Sequence, residues 1–395
     1  MNNKMHLGLY LFALPSFSET FLINKINGLS ELGFNISLFI TKRNQNKNVF
    51  HNSVNVYYQT NSKSLLTYTF ILLRTIISNP YNVIRFIILE KKIDRKFISI
   101  LKNIVINSNV LRLNNIDWLH FEFATLAINR ENIGKSIDAK VACSFRGYDI
   151  SLFPYKNNGC YDVLFNILDK VHTISDDLYN QGLKFGLKKE ISYMKITPAI
   201  DVNIFKPKSI NVNIHNPIRI LTVGRLTWKK GYDYAFDALK ILNDAGISFE
   251  YKVAGDGEYF QKLVCSVDML GLNEKISFLG SQSQKNIKKE MEWADIYIQP
   301  SIQEGFCNAV IEAQSMGLMV IVTDAEGLSE NVSNNQTGWV VPRRNPDSIA
   351  AKIIDIMKFT DKEINVIRQN ASRKVESEFN LIKQIDSFVK FYELK

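Results

Sequence analysis

Residues Asp295 to Gly317 read D-I-Y-I-Q-P-S-I-Q-E-G-F-C-N-A-V-I-E-A-Q-S-M-G. The first five have the apolar density of a buried strand. Ala309, Val310, Ala313 and Met316 then form a helical stripe that stops at Gly317, a residue suited to the position after a helix. Glu304 therefore stands on a loop at the carboxyl end of a strand, and Glu312 inside the next helix. In an open parallel α/β sheet ligands bind at that edge, where free N–H groups at a helix start attract anions. Carboxylates there repel phosphate, so they are expected to face neutral hydroxyls, as on a ribose or a hexose. The plain alternative is one surface Glu and one helix-stabilising Glu.

A second strand-to-helix loop lies upstream. From Arg219 the chain runs R-I-L-T-V-G-R-L-T-W-K-K-G, then enters an amphipathic helix carrying Ala235, Ala238, Leu239 and Leu242. Arg225, Lys229 and Lys230 share that loop. A diphosphate gains negative charge as its bond to a sugar breaks, and fixed cations stabilise that state more than the ground state. A solvated basic turn is the alternative reading.

Working outward, strand-like runs at Ile36 to Thr41, Trp118 to Phe123, Val141 to Phe145 and Val171 to Ser175 alternate with helical patterns, and the alternation restarts at Arg219. That predicts two parallel sheets in tandem. A chain of 395 residues exceeds what one core serves, in agreement. The boundaries predicted are a first domain over 1–205, a polar linker over 206–217 bracketed by Pro207 and Pro217, a second domain over 218–375, and a C-terminal helix over 376–395. No fixed-period repeat and no low-complexity tract is present.

The stretch Arg219 to Pro342 resembles the second domain of the family-four retaining glycosyltransferases, which transfer a sugar from a nucleotide diphosphate donor. Matching blocks follow in the family's order: Gly224-Arg225-Leu226 with Lys230-Gly231, Ala254-Gly255-Asp256-Gly257, Phe278-Leu279-Gly280, Pro300-Ser301, Glu304-Gly305-Phe306, Glu312-Ala313 and Gly338-Trp339-Val340-Val341. The resemblance implies an α/β GT-B fold, two Rossmann-like domains facing each other across a cleft, with the final helix crossing back to the first domain. It implies that Arg225 and Lys230 bind the diphosphate, that Glu304 with the backbone of Gly305, Phe306, Cys307 and Asn308 meets the donor sugar, and that Glu312 binds the ribose hydroxyls. Gly224, Gly255, Gly257 and Gly280 complete the donor side, and Arg225, Lys230 and Glu304 are the expected catalytic group. Cys307 departs from the family's usual glycine.

The first half resembles the same family more loosely. Met5 to Phe12 reads as a strand. Pro15-Ser16-Phe17-Ser18-Glu19-Thr20-Phe21 opens a helix with Ser16 and Glu19 at capping-box spacing, a stripe of Leu22, Ile26, Leu29 and Leu32, and a stop at Gly33. The S-E-T-F form is similar to a subset that makes bacterial surface polysaccharides. His120-Phe-Glu-Phe-Ala124 and Ser144-Phe-Arg-Gly-Tyr-Asp149 match two further strand-end loops. Ser18, Glu19, Arg146 and Asp149 are thereby the residues expected on the acceptor or sugar side. Arg146 stands where most relatives have histidine, and an arginine cannot act as a base. Ala199 replaces another common glycine.

Other features bound the function. Four scattered cysteines and five unclustered histidines predict neither a disulfide framework nor a metal site, and a reducing cytoplasm as the compartment. The apolar stretch Leu7 to Leu14 reads as a first strand rather than a signal peptide. Between Lys63 and Lys102 stand Arg74, Arg85, Lys91, Lys92, Arg95 and Lys96 against Glu90 and Asp94 only, so this segment supplies most of the chain's formal charge of +9. Phe70, Ile71, Phe86, Ile87 and Phe97 lie among those charges. The uncharged run Ser64 to Leu73 is too short to span a bilayer. The pattern suits helices lying on an anionic membrane surface, or an ordinary helical pair with a solvated basic face. No nucleic-acid reading pattern accompanies the charge.

The expected activity is thus a hexosyltransferase that uses a nucleotide diphosphate sugar as co-substrate, without further cofactor, acting on a saccharide acceptor that is lipid-linked, at the cytoplasmic face of the inner membrane. No two aspartates stand two apart, so the D-x-D metal element of the other large transferase fold is missing and Arg225 and Lys230 are expected to serve in its place. Rival readings are a nucleotide-sugar epimerase or phosphorylase of similar architecture, a two-lobed sugar-binding protein, and a dinucleotide-dependent oxidoreductase. The last needs G-x-G-x-x-G, whereas Gly255-Asp-Gly257-Glu-Tyr-Phe260 lacks the third glycine.

Overall fold

The structure, a computed structural model, describes residues 5–15, 20–44, 50, 54–60, 64–206 and 214–393. Ser16, Ser18 and Glu19, and residues 207–213 of the expected linker, lie outside them. The chain divides into two units, Met1–Ile196 with Gln384–Lys395, and Thr197–Lys383. The division therefore falls nine residues before the predicted first boundary. Residues after Ile196 belong to the second unit because Ile200 pairs with Asn380, and the Ser315 hydroxyl donates to the Phe205 carbonyl at 2.5 Å.

The first unit is a seven-stranded parallel sheet of β1 (His6–Leu11), β2 (Asn35–Ile40), β3 (Val54–Tyr58), β4 (Trp118–Phe121), β5 (Lys140–Phe145), β6 (Lys170–Thr173) and β7 (Ser192–Lys195). Their order is β3-β2-β1-β4-β5-β6-β7. The second unit is a six-stranded parallel sheet of β8 (Ile218–Val223), β9 (Phe249–Ala254), β10 (Ile276–Gly280), β11 (Ile296–Gln299), β12 (Met319–Thr323) and β13 (Trp339–Val341), in the order β10-β9-β8-β11-β12-β13. Helices on both faces bury the central strands, so M-V-I-V-T of β12 is apolar without alternation and wholly buried. In each sheet the winding direction reverses beside its first strand, between β1 and β4 and between β8 and β11. Those are the topological switch points.

Local chemistry fixes where elements end. Strand β6 stops at Thr173, two residues short of the expectation, because Ser175 turns to cap the helix Asp176–Lys184, its hydroxyl accepting from the Leu178 N–H at 3.3 Å. The helix Thr20–Glu31 buries Leu22, Ile26 and Leu29, but Leu32 is exposed, one residue past the helix end. Gly33 closes that helix with φ of 93°, and the Phe34 N–H returns to the Leu29 carbonyl.

Candidate functional site

The second unit brings the predicted loops together at its switch point. Gly224, just after β8, donates its N–H to the Ala254 carbonyl at 2.9 Å, and Gly255 donates to Gly280 at 2.9 Å. The ends of β8, β9 and β10 are thus one hydrogen-bonded rim. Contact is so close that a Cβ at Gly255 would stand 1.9 Å from the Gly224 carbonyl oxygen, at a φ of 153° that side chains avoid. The loop after β8 is tied with equal tightness to the loop after β11. Gly231, in left-handed conformation, lies against the Pro300 carbonyl, and the Lys229 carbonyl accepts from the Ile302 N–H at 2.6 Å.

This packing sets the side chains. Lys230 forms an ion pair with Glu304. Burial alone would lower the Lys230 pKa, but Glu304 beside it reverses the effect and holds the ammonium above its ordinary value. The two side chains remain 16% and 17% exposed, so solvent and solutes reach them. Arg225 is exposed, and its side chain makes no hydrogen bond or ion pair among the described residues. Lys229 is half-buried and its pKa is lowered by burial, against the pull of Glu326 and Glu304. Three cations and one reachable carboxylate therefore converge where the strand order reverses.

Glu312 sits one turn into the helix Asn308–Ser315. It keeps partial solvent access, accepts no side-chain hydrogen bond among the described residues, and burial pushes its pKa up to about 7. A hydroxyl-bearing ligand would supply the missing donors. Cys307 caps the same helix from a buried position. Asn331 clamps its peptide from both sides, accepting from the Cys307 N–H at 3.3 Å and donating to its carbonyl at 3.0 Å. Burial raises the thiol to about 11, so it is neutral, and it donates to Gln299 at 3.5 Å. Phe306 is buried against Phe379. Gly305 and Asn308 border the same loop. Behind it Tyr297, Gln299 and Ser301 form a hydrogen-bonded row, with Tyr297 donating to Gln299 and Gln299 to Ser301, both at 2.8 Å. None of Tyr297, Gln299 or Asn331 was singled out from the sequence. The alternation Y-x-Q-x-S from Tyr297 in β11 to Ser301 just beyond it is the signal that could have found the first two, since period 2 puts them on one face.

The first unit treats its expected residues differently. Arg146 is spent on the fold: its guanidinium donates to Glu122 Oε2 at 2.6 Å and to the Glu122 carbonyl at 2.9 Å, and stacks over Phe21. Lys25 completes the cluster at 2.5 Å from Glu122 Oε1. Side-chain exposures are 8% for Arg146, 1% for Lys25 and 0% for Glu122. Burial lowers Lys25 to about 8, whereas the cations hold Glu122 well below the carboxylate range against its own burial. Asp149 is also buried and occupied, accepting from the backbone N–H groups of Ala124, Arg146 and Gly147. Arg146 and Asp149 thus shape the loops after β4 and β5 rather than presenting free groups.

Beneath that cluster the protons of a buried chain can be assigned. His172 Nε2 faces the Ile196 carbonyl at 3.0 Å, so it carries the proton. Burial keeps both histidines neutral, with pKa well below the usual value. His172 Nδ1 then accepts from Ser144 at 2.7 Å, Ser144 accepts from His120 Nε2 at 2.8 Å, and His120 Nδ1 accepts from the Tyr392 hydroxyl at 2.6 Å. Every donor has an acceptor, and the chain ends on backbone.

Residues 205–374 match the family described as Glycosyl transferases group 1. Over 394 residues the chain is 24% identical to the putative colanic acid biosynthesis glycosyltransferase WcaL of Escherichia coli K12, covering 95% of this chain and 96% of that protein. It is 26% identical over 220 residues to an Escherichia coli protein named UDP-Gal:alpha-D-GlcNAc-diphosphoundecaprenol alpha-1,3-galactosyltransferase, covering 55% and 56% of the two chains. Among solved structures, HepE of Anabaena in complex with UDP superimposes with a TM-score of 0.73 at 15% identity over 98% of each chain. At that identity the likeness speaks for fold: an α/β pair of Rossmann-like parallel sheets of the GT-B kind.

Proposed function

We propose, taking as premise that this chain belongs through residues 205–374 to the glycosyl transferases group 1, that it moves a hexose-type sugar from a nucleotide diphosphate onto a lipid-linked saccharide in surface polysaccharide assembly. The observation that carries the reading is the convergence of Arg225, Lys230 and Glu304 at the switch point, with Glu312, which accepts no side-chain hydrogen bond among the described residues, one turn into the helix that follows the Glu304 loop. The names of the relatives support the substrate class. One is a colanic acid biosynthesis protein, another is named for an acceptor on diphosphoundecaprenol, and HepE is solved with UDP.

In this reading Glu312 accepts from the ribose hydroxyls and so orients the nucleotide. Lys230 leaves Glu304 for the diphosphate, with Arg225 beside it, and Glu304 is released to accept from hydroxyls of the donor sugar. The bond between the anomeric carbon and the phosphate oxygen breaks with its electrons going to that oxygen. Two fixed cations stabilise the charge most when it is fully developed. The acceptor oxygen bonds to the anomeric carbon from the same face, and its proton passes to the departing phosphate. The configuration is retained without a nucleophile on the opposite face. Arg225 and Lys230 neutralise the diphosphate in place of a metal ion, and no further cofactor takes part. We place the work at the cytoplasmic face of the membrane, the enzyme held peripherally by its basic first unit; among the described residues no helix is long and apolar enough to cross a bilayer.

The test is a product assay with nucleotide-sugar and a lipid-linked saccharide. Nucleoside diphosphate should appear only with acceptor present, turnover should persist in excess EDTA, and the new linkage should show the donor's anomeric configuration by NMR. Diphosphate release without acceptor, or an epimerised nucleotide-sugar, overturns the transfer reading. An inverted linkage, or loss in EDTA restored by manganese, overturns the retaining or the metal-free step alone.

A further inference from the structure

The crossover from β3 to β4 passes through three helices, Leu65–Ser78, Pro80–Lys92 and Phe97–Ile106. The first reads L-L-T-Y-T-F-I-L-L-R-T-I-I-S, and Thr75 is its one buried residue. Leu66, Phe70, Leu73 and Ile77 recur at the spacing of one helix face, and Leu66 is 83% exposed, Phe70 62%. Ile84 of the second helix and Ile98 of the third are exposed too. Thr67, Arg74 and Ser78 lie to one side of the Leu66–Ile77 face, so the helix is amphipathic, and a soluble surface seldom carries an apolar patch of this kind. Fourteen residues rise about 21 Å. That is short of the roughly 30 Å hydrocarbon core, so such a helix would lie along a bilayer rather than through it.

Charge identifies the surround. No acidic residue occurs from Ser64 to Leu89. Glu90 is buried, held by Arg95 at 2.7 Å, while Arg74, Lys91, Lys92 and Lys96 are exposed. A second copy docking through the same face would set these cations against one another, because a two-fold contact is self-complementary. Anionic headgroups would match them, and acyl chains would take the apolar side.

We propose that helix Leu65–Ser78 is an interfacial anchor that inserts its apolar face into a bilayer containing anionic lipid. This deepens the proposed function by giving a lipid-linked acceptor and the enzyme a common phase, and it rests on that reading only there. Attachment then has two components that salt separates: screening removes the electrostatic one, whereas apolar insertion survives.

The test is cosedimentation of the full chain, without donor or acceptor, with vesicles of phosphatidylcholine plus phosphatidylglycerol and of phosphatidylcholine alone, at low and at about 1 M salt. The unaltered chain should bind the mixed vesicles at low salt and keep a measurable bound fraction at high salt. The double variant Leu66→Glu/Phe70→Glu, at exposed positions where the fold tolerates it, should bind about 100-fold more weakly at both salts. Lys91→Glu/Lys92→Glu/Lys96→Glu should lose only the salt-sensitive, phosphatidylglycerol-dependent part. Full release by high salt, or unchanged binding by the Leu66/Phe70 variant, overturns insertion. So does a dimer in sedimentation velocity that this variant dissolves while vesicles bind neither protein, since the face is then a protein interface. Vesicle binding as expected, together with no sugar transfer to any acceptor, leaves the anchor standing and removes the transferase reading instead.

Discussion

The two units share one winding order, and each gathers cations and carboxylates near its switch point, yet the outcomes are opposite. In the first, the single carboxylate of Glu122 is shared by Lys25 and Arg146 under apolar cover, with Phe388 beneath the Lys25 ammonium at 4.3 Å and Phe21 beside Arg146. In the second, Lys230 and Glu304 meet at an opening, and Arg225 beside them is exposed. Both clusters perturb pKa values, so perturbation by itself does not separate architecture from chemistry. Accessibility does: a charge that nothing can reach holds a fold, and one that solutes reach can trade its partner for a ligand.

The sharpest way to break this contrast is Glu122→Gln, which leaves two buried cations facing an amide. Removing one side of a buried pair costs about 3–5 kcal/mol. The first unit should therefore melt or unfold in urea far earlier, while nucleotide-sugar binding measured on the second unit below that transition stays within about twofold of normal. Lys25→Met should cost much less, because Arg146 still matches Glu122 and burial already disfavours the Lys25 ammonium, whose pKa is lowered to about 8. Equal losses from both variants would mean that the cluster does not act as a shared-anion unit.

Lys230→Ala should do the reverse. The fold should survive, since Glu304 is reachable by water, whereas kcat should fall about 100- to 1000-fold with little change in KM, as for loss of one transition-state charge partner. A variant that unfolds, or one that loses only KM, would erase the distinction drawn between the two clusters.

Glu312 gives the smallest and most specific effect. Its raised pKa means that the folded protein binds this proton more tightly than the unfolded chain, so the group's contribution to stability declines as pH rises from about 4.5 to about 7. A ligand whose hydroxyls donate to the carboxylate favours the ionised form. Nucleotide-sugar affinity should therefore rise about tenfold from pH 6 to pH 7.5 and level off above, with proton release on binding at pH 6 detectable by calorimetry in buffers of different ionisation enthalpy. The diphosphate of a nucleotide-sugar is a diester without a proton to lose in this range. Glu312→Gln should bind more weakly at pH 7.5 and show no such dependence.

What could be read in the sequence divides along physical lines. Gly255, Gly257 and Gly280 announce their loops because backbone there adopts left-handed or crowded conformations that other residues resist, a constraint written in one letter. Strand β11 and the helix carrying Glu312 were legible from periodicity and from Gly317. The Lys230–Glu304 pair spans 74 residues, and no local pattern encodes such a distance. Lys25 in an amphipathic helix reads as a surface residue, because its cover comes from Phe388 and Tyr392, far along the chain. The basic stretch presents fewer free charges than its sequence suggests for the same reason. Arg95 pairs with buried Glu90 and with Glu131, Arg85 pairs with Asp138, and Phe86 lies in the core. Counting charges cannot show which ones are already spent.

The helix Leu381–Tyr392 also has a bearing on synthesis. Its Tyr392 carbonyl accepts from the Trp118 indole at 2.9 Å, and Ile385 fills the space above Gly28, where a Cβ would come within 2.2 Å of it. The first unit therefore lacks part of its core until the residues from Gln384 onward are made, whereas the second is one uninterrupted run from Thr197 to Lys383. At about 5–20 residues per second, the ribosome needs roughly 10–40 s to pass from the end of the one segment to the start of the other. Maturation on the ribosome thus runs against chain order. The unit begun second is the first able to close, and the first unit is completed only by residues made after it.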